Sequence, residues 1–365
     1  MGWLDERIKA LSSFSGSLLG YVGSSGKVTN LASKLGIEPS RILKLDSNEN
    51  FFIDRDFLSS LLAKVVSDVD LRLYDPGGIS DLREALGRYV GVRSECVTLS
   101  SGSEQLIDLI ARLFLGDGDE VVSVVPSFFM YRRRVELEGA GFVEVPLNGD
   151  LSLDIDAILE SVNSRTRIVF VCSPNNPTGN QFSWDDIKAI AEGSSALVVL
   201  DEAYAEFGDY SAAPLAVEER NVVAVRTFSK AFGLAGLRFG YAVSNPELAS
   251  VLSEIVPYTI SSVVSMFVLE LLNHVDVVRK CVEIVRAERR RLVDGLRVLD
   301  GFDVFDSKAN FVAFRPCGEA DVVYDGLLRK GVLVKNLGDL PVIGHCLRST
   351  VGLPYMNDRF LDALS

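Results

Sequence analysis

TFSKAFGLAGLRFG, Thr227 to Gly240, is the stretch around which the rest of the chain is read. It follows the apolar run NVVAVR (Asn221 to Arg226), which reads as a short buried strand. Lys230 therefore sits just past a strand end, beside the hydroxyls of Thr227 and Ser229. Gly233 and Gly236 let backbone come close to whatever lies there. Arg238 follows eight residues after the lysine and can grip a phosphate through charge-assisted bonds. The lysine itself offers an amine for a Schiff base. A lysine, hydroxyls and an arginine around an aldehyde-bearing phosphate describe a pyridoxal 5'-phosphate site. The same residues also fit a surface turn with an incidental lysine, so the remainder of the chain has to decide.

Upstream, strands and helices alternate. Val97–Ser100 reads as a strand, and SSGSEQLIDLIARLFL follows it with apolar residues at helical spacing. Gly102 and Ser103 thus open a helix directly after a strand, where free backbone N–H groups suit an anion. An ordinary helix cap is the other reading of that pair. Glu120–Val125, Phe142–Pro146, Ile168–Cys172 and Ala196–Leu200 are further apolar strands, and Phe239–Val243 follows the lysine stretch. Ser183, with Asp186 three residues on, caps a helix that Gly193 closes. Uniformly apolar strands alternating with helices predict an α/β fold, a mostly parallel sheet with helices on both faces. Functional residues of such sheets gather at the C-terminal strand ends. SPNNPTG (Ser173–Gly179), DEAY (Asp201–Tyr204) and TFSK all fall there.

Beyond Pro246 the pattern changes to long amphipathic helices as far as Leu299, then to short strands and helices. The expected division is an N-terminal segment, 1–45, packed with a smaller α+β domain at 246–365, and a large domain at 46–245. Length agrees, because 365 residues are many for one hydrophobic core. Apolar residues make up 48% and charged residues 24%, ordinary values for a soluble globular chain. A net charge of −13 argues against nucleic acid and anionic membrane as partners. Five cysteines without a C-x-x-C pair argue against a disulfide framework, and two histidines make a metal site improbable. The N-terminus lacks a signal-type apolar core and no run of 18 apolar residues occurs, so the expected location is the cytoplasm. GYVGSSGKV (Gly20–Val28) fails as a nucleotide loop. Tyr21 stands where its first glycine belongs, and Val28 follows the lysine.

A pyridoxal phosphate site also needs a carboxylate for the pyridine nitrogen, donors for the phenolic oxygen and a face on which the ring stacks. Asp201 ends a buried strand and suits the nitrogen, or it caps a helix. Asn176 and Tyr204 are candidate donors, although Asn176 also suits a turn. Phe128, in PSFFMY, could stack or belong to the core.

SPNNPTG, DEAY and SKAFGLAGLRFGY in this order resemble the class I/II, fold-type I, pyridoxal-phosphate-dependent aminotransferases over nearly the whole length. The resemblance implies a large domain built on a seven-stranded sheet between helices, plus a smaller α+β domain. It implies Lys230 as the Schiff-base lysine, Asp201 as the pyridinium partner, and Asn176 and Tyr204 on the phenolic oxygen, with Phe128 stacked. Gly102, Ser103, Glu104 (through its backbone), Thr227, Ser229 and Arg238 would hold the phosphate. Tyr74, in LYDPGG, would reach the phosphate of a neighbouring subunit, which implies a homodimer. Arg348, in CLRSTVG, matches the family's substrate-anion arginine.

Within that family, GYVGS, KLDSNENFF, LYDPGG, DEAYAEF and LRSTVGLPYMNDRF resemble the histidinol-phosphate aminotransferases. Those transfer an amino group to a 2-oxo acid and clasp a substrate phosphate with a tyrosine and two arginines. Tyr21 and Arg348 match two of the three, and Lys335 stands at the third position. Lysine keeps the charge but loses the bidentate fork. Phe51 and Phe128 also depart, standing where proline and tyrosine are usual. Two other small-molecule chemistries stay open on sequence: an aminotransferase for aromatic amino acids and a threonine-phosphate decarboxylase. A non-catalytic regulatory module would need a basic DNA-binding segment, and none precedes Asn50.

Overall fold

TRIVFVC, LVVLD and VVAVRT are buried along their length except for Arg167, as the central strands of a sheet covered on both faces must be. The structure, a computed structural model, describes residues 24–74, 78–255 and 260–365. In chain order its strands are β1 (Leu43–Lys44), β2 (Val97–Ser100), β3 (Glu120–Val125), β4 (Gly141–Pro146), β5 (Thr166–Cys172), β6 (Leu197–Asp201) and β7 (Val222–Thr227). They continue as β8 (Gly240–Ser244), β9 (Phe302–Val304), β10 (Phe311–Pro316), β11 (Val332–Leu333), β12 (Lys335–Leu340) and β13 (Gly344–Thr350).

Seven strands form one sheet in the order β2-β8-β7-β6-β5-β3-β4, in which β8 alone runs against its neighbours. Helices between the strands start where the sequence supplies caps. The Asp154 carboxylate accepts from Ala157 N–H before the helix Ile155–Ser161, and Ser183 accepts from Asp186 N–H before the helix Trp184–Gly193. One face of the helix Ser103–Phe114 buries Leu106, Ile107, Ile110 and Ala111 against β5, β7 and β8 residues such as Phe170, Val223 and Ala242.

Register brings the functional loops together. Cys172 pairs with Asp201, and Asp201 with Val225, so the loops after β5, β6 and β7 leave the sheet side by side. Gly240 pairs with both Thr227 and Ser100, which sets the turn before the helix Ser103–Phe114 beside the lysine loop.

A second, antiparallel sheet has the order β12-β13-β10-β9, and β1 pairs in parallel with β11. The helix Ser24–Leu35 packs on this part through Ala32, which sits with Ile42 and Leu333. The helices Pro246–Ile255 and Ser262–Leu272 lie instead against β2 and the helices Arg55–Asp68 and Gly78–Val90. The chain passes to the second sheet along the helix Val275–Val298. Residues 45–50 stitch the two sheets. Thr350 N–H donates to Leu45 O, Asn48 N–H to Thr350 Oγ1, and Asn50 Nδ2 to Ala231 O. Among the described residues no helix is long and apolar enough to cross a membrane, and no group of three or more His, Cys, Asp or Glu could hold a metal.

Candidate active site

Lys230 leaves the end of β7 and is partly buried, and its Nζ donates to Ser47 O at 3.1 Å. Burial, then the charge of Arg348, lowers its amine to about 8. The amine lies 5.7 Å from the centre of the Tyr204 ring. Tyr204 Oη in turn accepts from Asn48 Nδ2 at 3.0 Å, and its ring meets Phe311 edge-on. The site is thus closed from the small sheet as well as the large one.

Asp201 ends β6 and is almost fully buried. Its Oδ2 accepts from Tyr131 Oη at 2.7 Å and its Oδ1 from Ala203 N–H at 3.0 Å. Burial pushes the carboxyl up, while the two donors and the Lys230 charge act against that. Asp201 makes no ion pair with any described lysine or arginine, so a buried carboxylate here lacks a cation in contact. Glu202, next in DEAY, does different work. It accepts from Arg226, Ser211 and the Ala212 N–H, and Arg226 also pairs with Glu206. This buried network fastens the loop after β6 to β7.

Gly102, Ser103, Ser229 and Arg238 converge from two segments, the turn after β2 and the loop between β7 and β8. Gly102 has φ +87°, and a Cβ there would come within 2.7 Å of Arg238 Nη2. At Gly240 a Cβ would lie 2.4 Å from Ser103 N and 2.6 Å from Gly102 C. Glycine is required at both, the first by conformation and contact, the second by contact with backbone. Arg238 Nη1 reaches Ser229 Oγ at 3.4 Å and Ala235 O at 3.1 Å. A guanidinium at a helix start with open N–H groups is an anion cradle. The Glu104 side chain turns away to Arg134, leaving only its backbone for such a role. Thr227 Oγ1 accepts from Ser229 N–H and shapes the turn.

A pocket of about 250 Å³ is lined by Phe128, Phe129, Asn176, Lys335, Leu340 and Arg348. Arg348 is buried on β13; its Nη1 donates to Asn176 Oδ1 and its Nη2 to Asp46 O. An arginine can only donate, so it fixes the Asn176 amide with Nδ2 on the far side. Arg348 Nε is buried with no hydrogen-bond partner among the described residues. Lys335 is the cross-strand partner of Arg348. Burial, then the charges of Lys27 and Arg348, lowers the Lys335 amine to about 8.

The structure therefore brings together Lys230, Asp201, Asn176, Tyr204, Gly102, Ser103, Ser229, Arg238, Lys335 and Arg348, with Phe128 at the pocket wall. Tyr74 lies apart on the surface, 82% exposed in the single chain, and Tyr21 falls outside the described residues. Three participants escaped the sequence reading. Tyr131 lies three residues after Phe128 in PSFFMY, a helical spacing that could have flagged it. Asn48 sits in LKLDSNEN, which reads as a short strand running into a polar turn and gives no sign that the Asn48 side chain reaches Tyr204. Lys27 belongs to the failed nucleotide loop, and its helix carries its charge toward Lys335.

The residues fit pyridoxal phosphate on four observations. These are a lysine with a lowered pKa, a buried carboxylate without a cation, an anion cradle that admits no Cβ, and a fixed amide donor.

Comparison with known proteins agrees in kind. The profile of the aminotransferase class I and II family matches residues 40–364. A histidinol-phosphate aminotransferase of Ruminiclostridium cellulolyticum is 34% identical over 328 residues, 88% of this chain and 91% of that protein. One from Chlorobaculum tepidum is 38% identical over 283 residues, 77% of this chain and 81% of that protein. The crystal structure of the Sinorhizobium meliloti histidinol-phosphate aminotransferase in complex with pyridoxal 5'-phosphate superposes with a TM-score of 0.82 at 25% identity, covering 92% of each chain.

Proposed function

The chain belongs to the class I and II aminotransferases and is a pyridoxal-phosphate-dependent enzyme, and from that premise we propose that it transfers the amino group of L-histidinol phosphate to 2-oxoglutarate, in histidine biosynthesis. The observation that carries the substrate is the cross-strand pair Lys335 and Arg348, two cations beside Asn176 in one pocket. A phosphate monoester is dianionic at neutral pH and gains from both, whereas a carboxylate has one charge to offer.

When bound, the cofactor supplies the electron sink that the reaction needs. Asp201 would face its ring nitrogen, Asn176 Nδ2 and Tyr204 its phenolic oxygen, and Phe128 its ring. The cradle of Gly102, Ser103, Ser229 and Arg238 would hold its phosphate, with Thr227 and the Glu104 backbone shaping that cradle. Lys230 is the base that takes the proton from the amine-bearing carbon of the substrate. Its amine, lowered to about 8 by burial and by Arg348, has a neutral fraction at physiological pH. The aliphatic and aromatic walls, Leu340, Phe128 and Phe129, exclude water around the imidazole. Lys335 and Arg348 orient the substrate by its phosphate. Arg348 then takes the glutamate carboxylate in the other half-reaction. The exposed Tyr74 suits a contact across a homodimer, where it would complete the partner's cradle. The setting proposed for this reaction is the cytoplasm.

The deciding measurement is kcat/KM for histidinol phosphate, phenylalanine and threonine phosphate with 2-oxoglutarate as acceptor. A higher value for phenylalanine, or release of carbon dioxide from threonine phosphate, overturns this substrate.

A further inference from the structure

Tyr131 has a hydroxyl aimed at Asp201 and a ring held on two sides. It is fully buried in the second position of the helix Met130–Leu137. Its ring stacks on Phe170 of β5, centroids 4.5 Å apart and planes 1° from parallel. Its edge meets Phe128 at 5.5 Å and 83°. The helix that carries it is tied by Arg134 to Glu104 and Asp108, on the helix whose start forms the anion cradle. We propose that Tyr131 is a positioning residue for Asp201: its phenol fixes the plane of the carboxylate and holds it as an anion whose basicity is too low to take the proton from the ring nitrogen of the cofactor.

The argument starts from burial. A carboxylate in this place drifts toward its neutral form, and a neutral Asp201 offers the ring nitrogen no charge. Two donors on separate oxygens, Tyr131 Oη and Ala203 N–H, oppose that drift and lock the side-chain rotation. Each oxygen keeps a lone pair for a further bond. A donor also withdraws electron density, so the carboxylate competes less well for a shared proton and the proton stays on nitrogen. The phenol is suited to this because it does not ionise. Burial first, then the Asp201 charge, pushes its pKa well up, so it donates throughout the working range. Ring packing on Phe170 holds the phenol in place, with the Cys172 thiol beside Asp201 as its other neighbour, and contact with Phe128 lets one residue set both the charge partner and the wall of the ring site.

This inference rests on the assignment of Asp201 to the ring nitrogen, and the test separates the two. Apo-protein is prepared for wild type, Tyr131→Phe, Asp201→Asn and the double variant, and folding is verified by urea unfolding. Pyridoxal phosphate affinity, kcat and KM for glutamate, and the resonance of a ¹⁵N-labelled cofactor ring are then measured. Tyr131→Phe keeps the stacked ring and loses one bond to a charged group. It should weaken cofactor binding and lower kcat by about tenfold each, with KM within about twofold. The ¹⁵N signal should move toward the unprotonated value. In the Asp201→Asn background the same change should add less than about twofold, because the phenol acts through the carboxylate. Multiplying effects, an unmoved ¹⁵N signal, or a Tyr131→Phe protein equal to wild type would overturn the role. An Asp201→Asn protein equal to wild type would instead sink the assignment beneath it. Should Tyr131→Phe fail to fold, Phe170→Leu, which removes the ring that orients the phenol, is expected to shift the ¹⁵N signal the same way, and an unmoved signal there refutes the proposal.

Discussion

Replacing Lys335 is expected to change substrate recognition in a way that depends on pH. Lys335 faces Arg348 across the β12–β13 ladder in the pocket that holds Asn176. A charge-assisted bond contributes about 1.5–3 kcal/mol, and because Lys335 is only partly buried the lower end applies. That is roughly a tenfold rise in KM for histidinol phosphate in Lys335→Ala, at 1.4 kcal/mol per factor of ten. The glutamate half-reaction, with one carboxylate on Arg348, should change less. The pH dependence follows from the lowered amine. With a pKa of about 8, Lys335 is mostly protonated at pH 7 and mostly neutral at pH 9. A phosphate ester is dianionic across that interval. Its binding should therefore weaken by about fivefold from pH 7 to pH 9 if the neutral amine contributes nothing, about half of the tenfold that full loss of the charge would cost. Arginine stays charged throughout, so Lys335→Arg should hold its KM nearly constant over the same interval and bind at least as well at pH 7. Steady-state KM for histidinol phosphate and glutamate, measured on the three proteins at half-unit pH steps, reads this directly. The ratio of wild type to Lys335→Arg removes every other titration. A flat ratio, or an equal rise in both KM values for Lys335→Ala, refutes the phosphate clasp.

Borohydride reduction of the holoenzyme should fix the cofactor to the peptide containing Lys230, and Lys230→Ala should abolish turnover; mass spectrometry that finds the label on another lysine rejects the assignment. Gly240→Ala should lower cofactor affinity by about tenfold or more, because the new methyl meets backbone 2.4 Å away and must displace the helix start, an overpacking cost of about 1–3 kcal/mol. Isothermal titration of apo-protein with pyridoxal phosphate checks this, and wild-type affinity would show that the cradle is not built at Ser103. Mixing Tyr74→Phe with Lys230→Ala chains should give more activity than either homodimer, since one site in the hybrid then has both an intact lysine and its neighbour's tyrosine. Activity at the mean of the parents after verified subunit exchange argues against a shared site.

Local features were legible in the sequence because their causes are local. A run such as VVAVRT declares a buried strand by composition, and a glycine and serine after a strand declare a helix start. The order SPNNPTG, DEAY and TFSK was enough for fold class, cofactor and family, since those loops each follow a strand in the same sheet direction. Contacts between distant segments were not legible. Arg348 and Asn176 are 172 residues apart, Lys230 and Ser47 183, and Tyr131 and Asp201 70. Those pairs depend on strand order and register, which periodicity does not encode. Gly240 reads in sequence as one permissive residue among many, and only the approach of Ser103 N makes it obligatory. Lys230 and Lys335 have ordinary side chains; their amines fall to about 8 because the tertiary structure removes water and brings other cations near. Residue identity thus settled which chemistry is available, while packing decided which group is charged, which way the Asn176 amide points and what holds Asp201 in place, because desolvation and hydrogen-bond geometry belong to the folded neighbourhood and not to the chain.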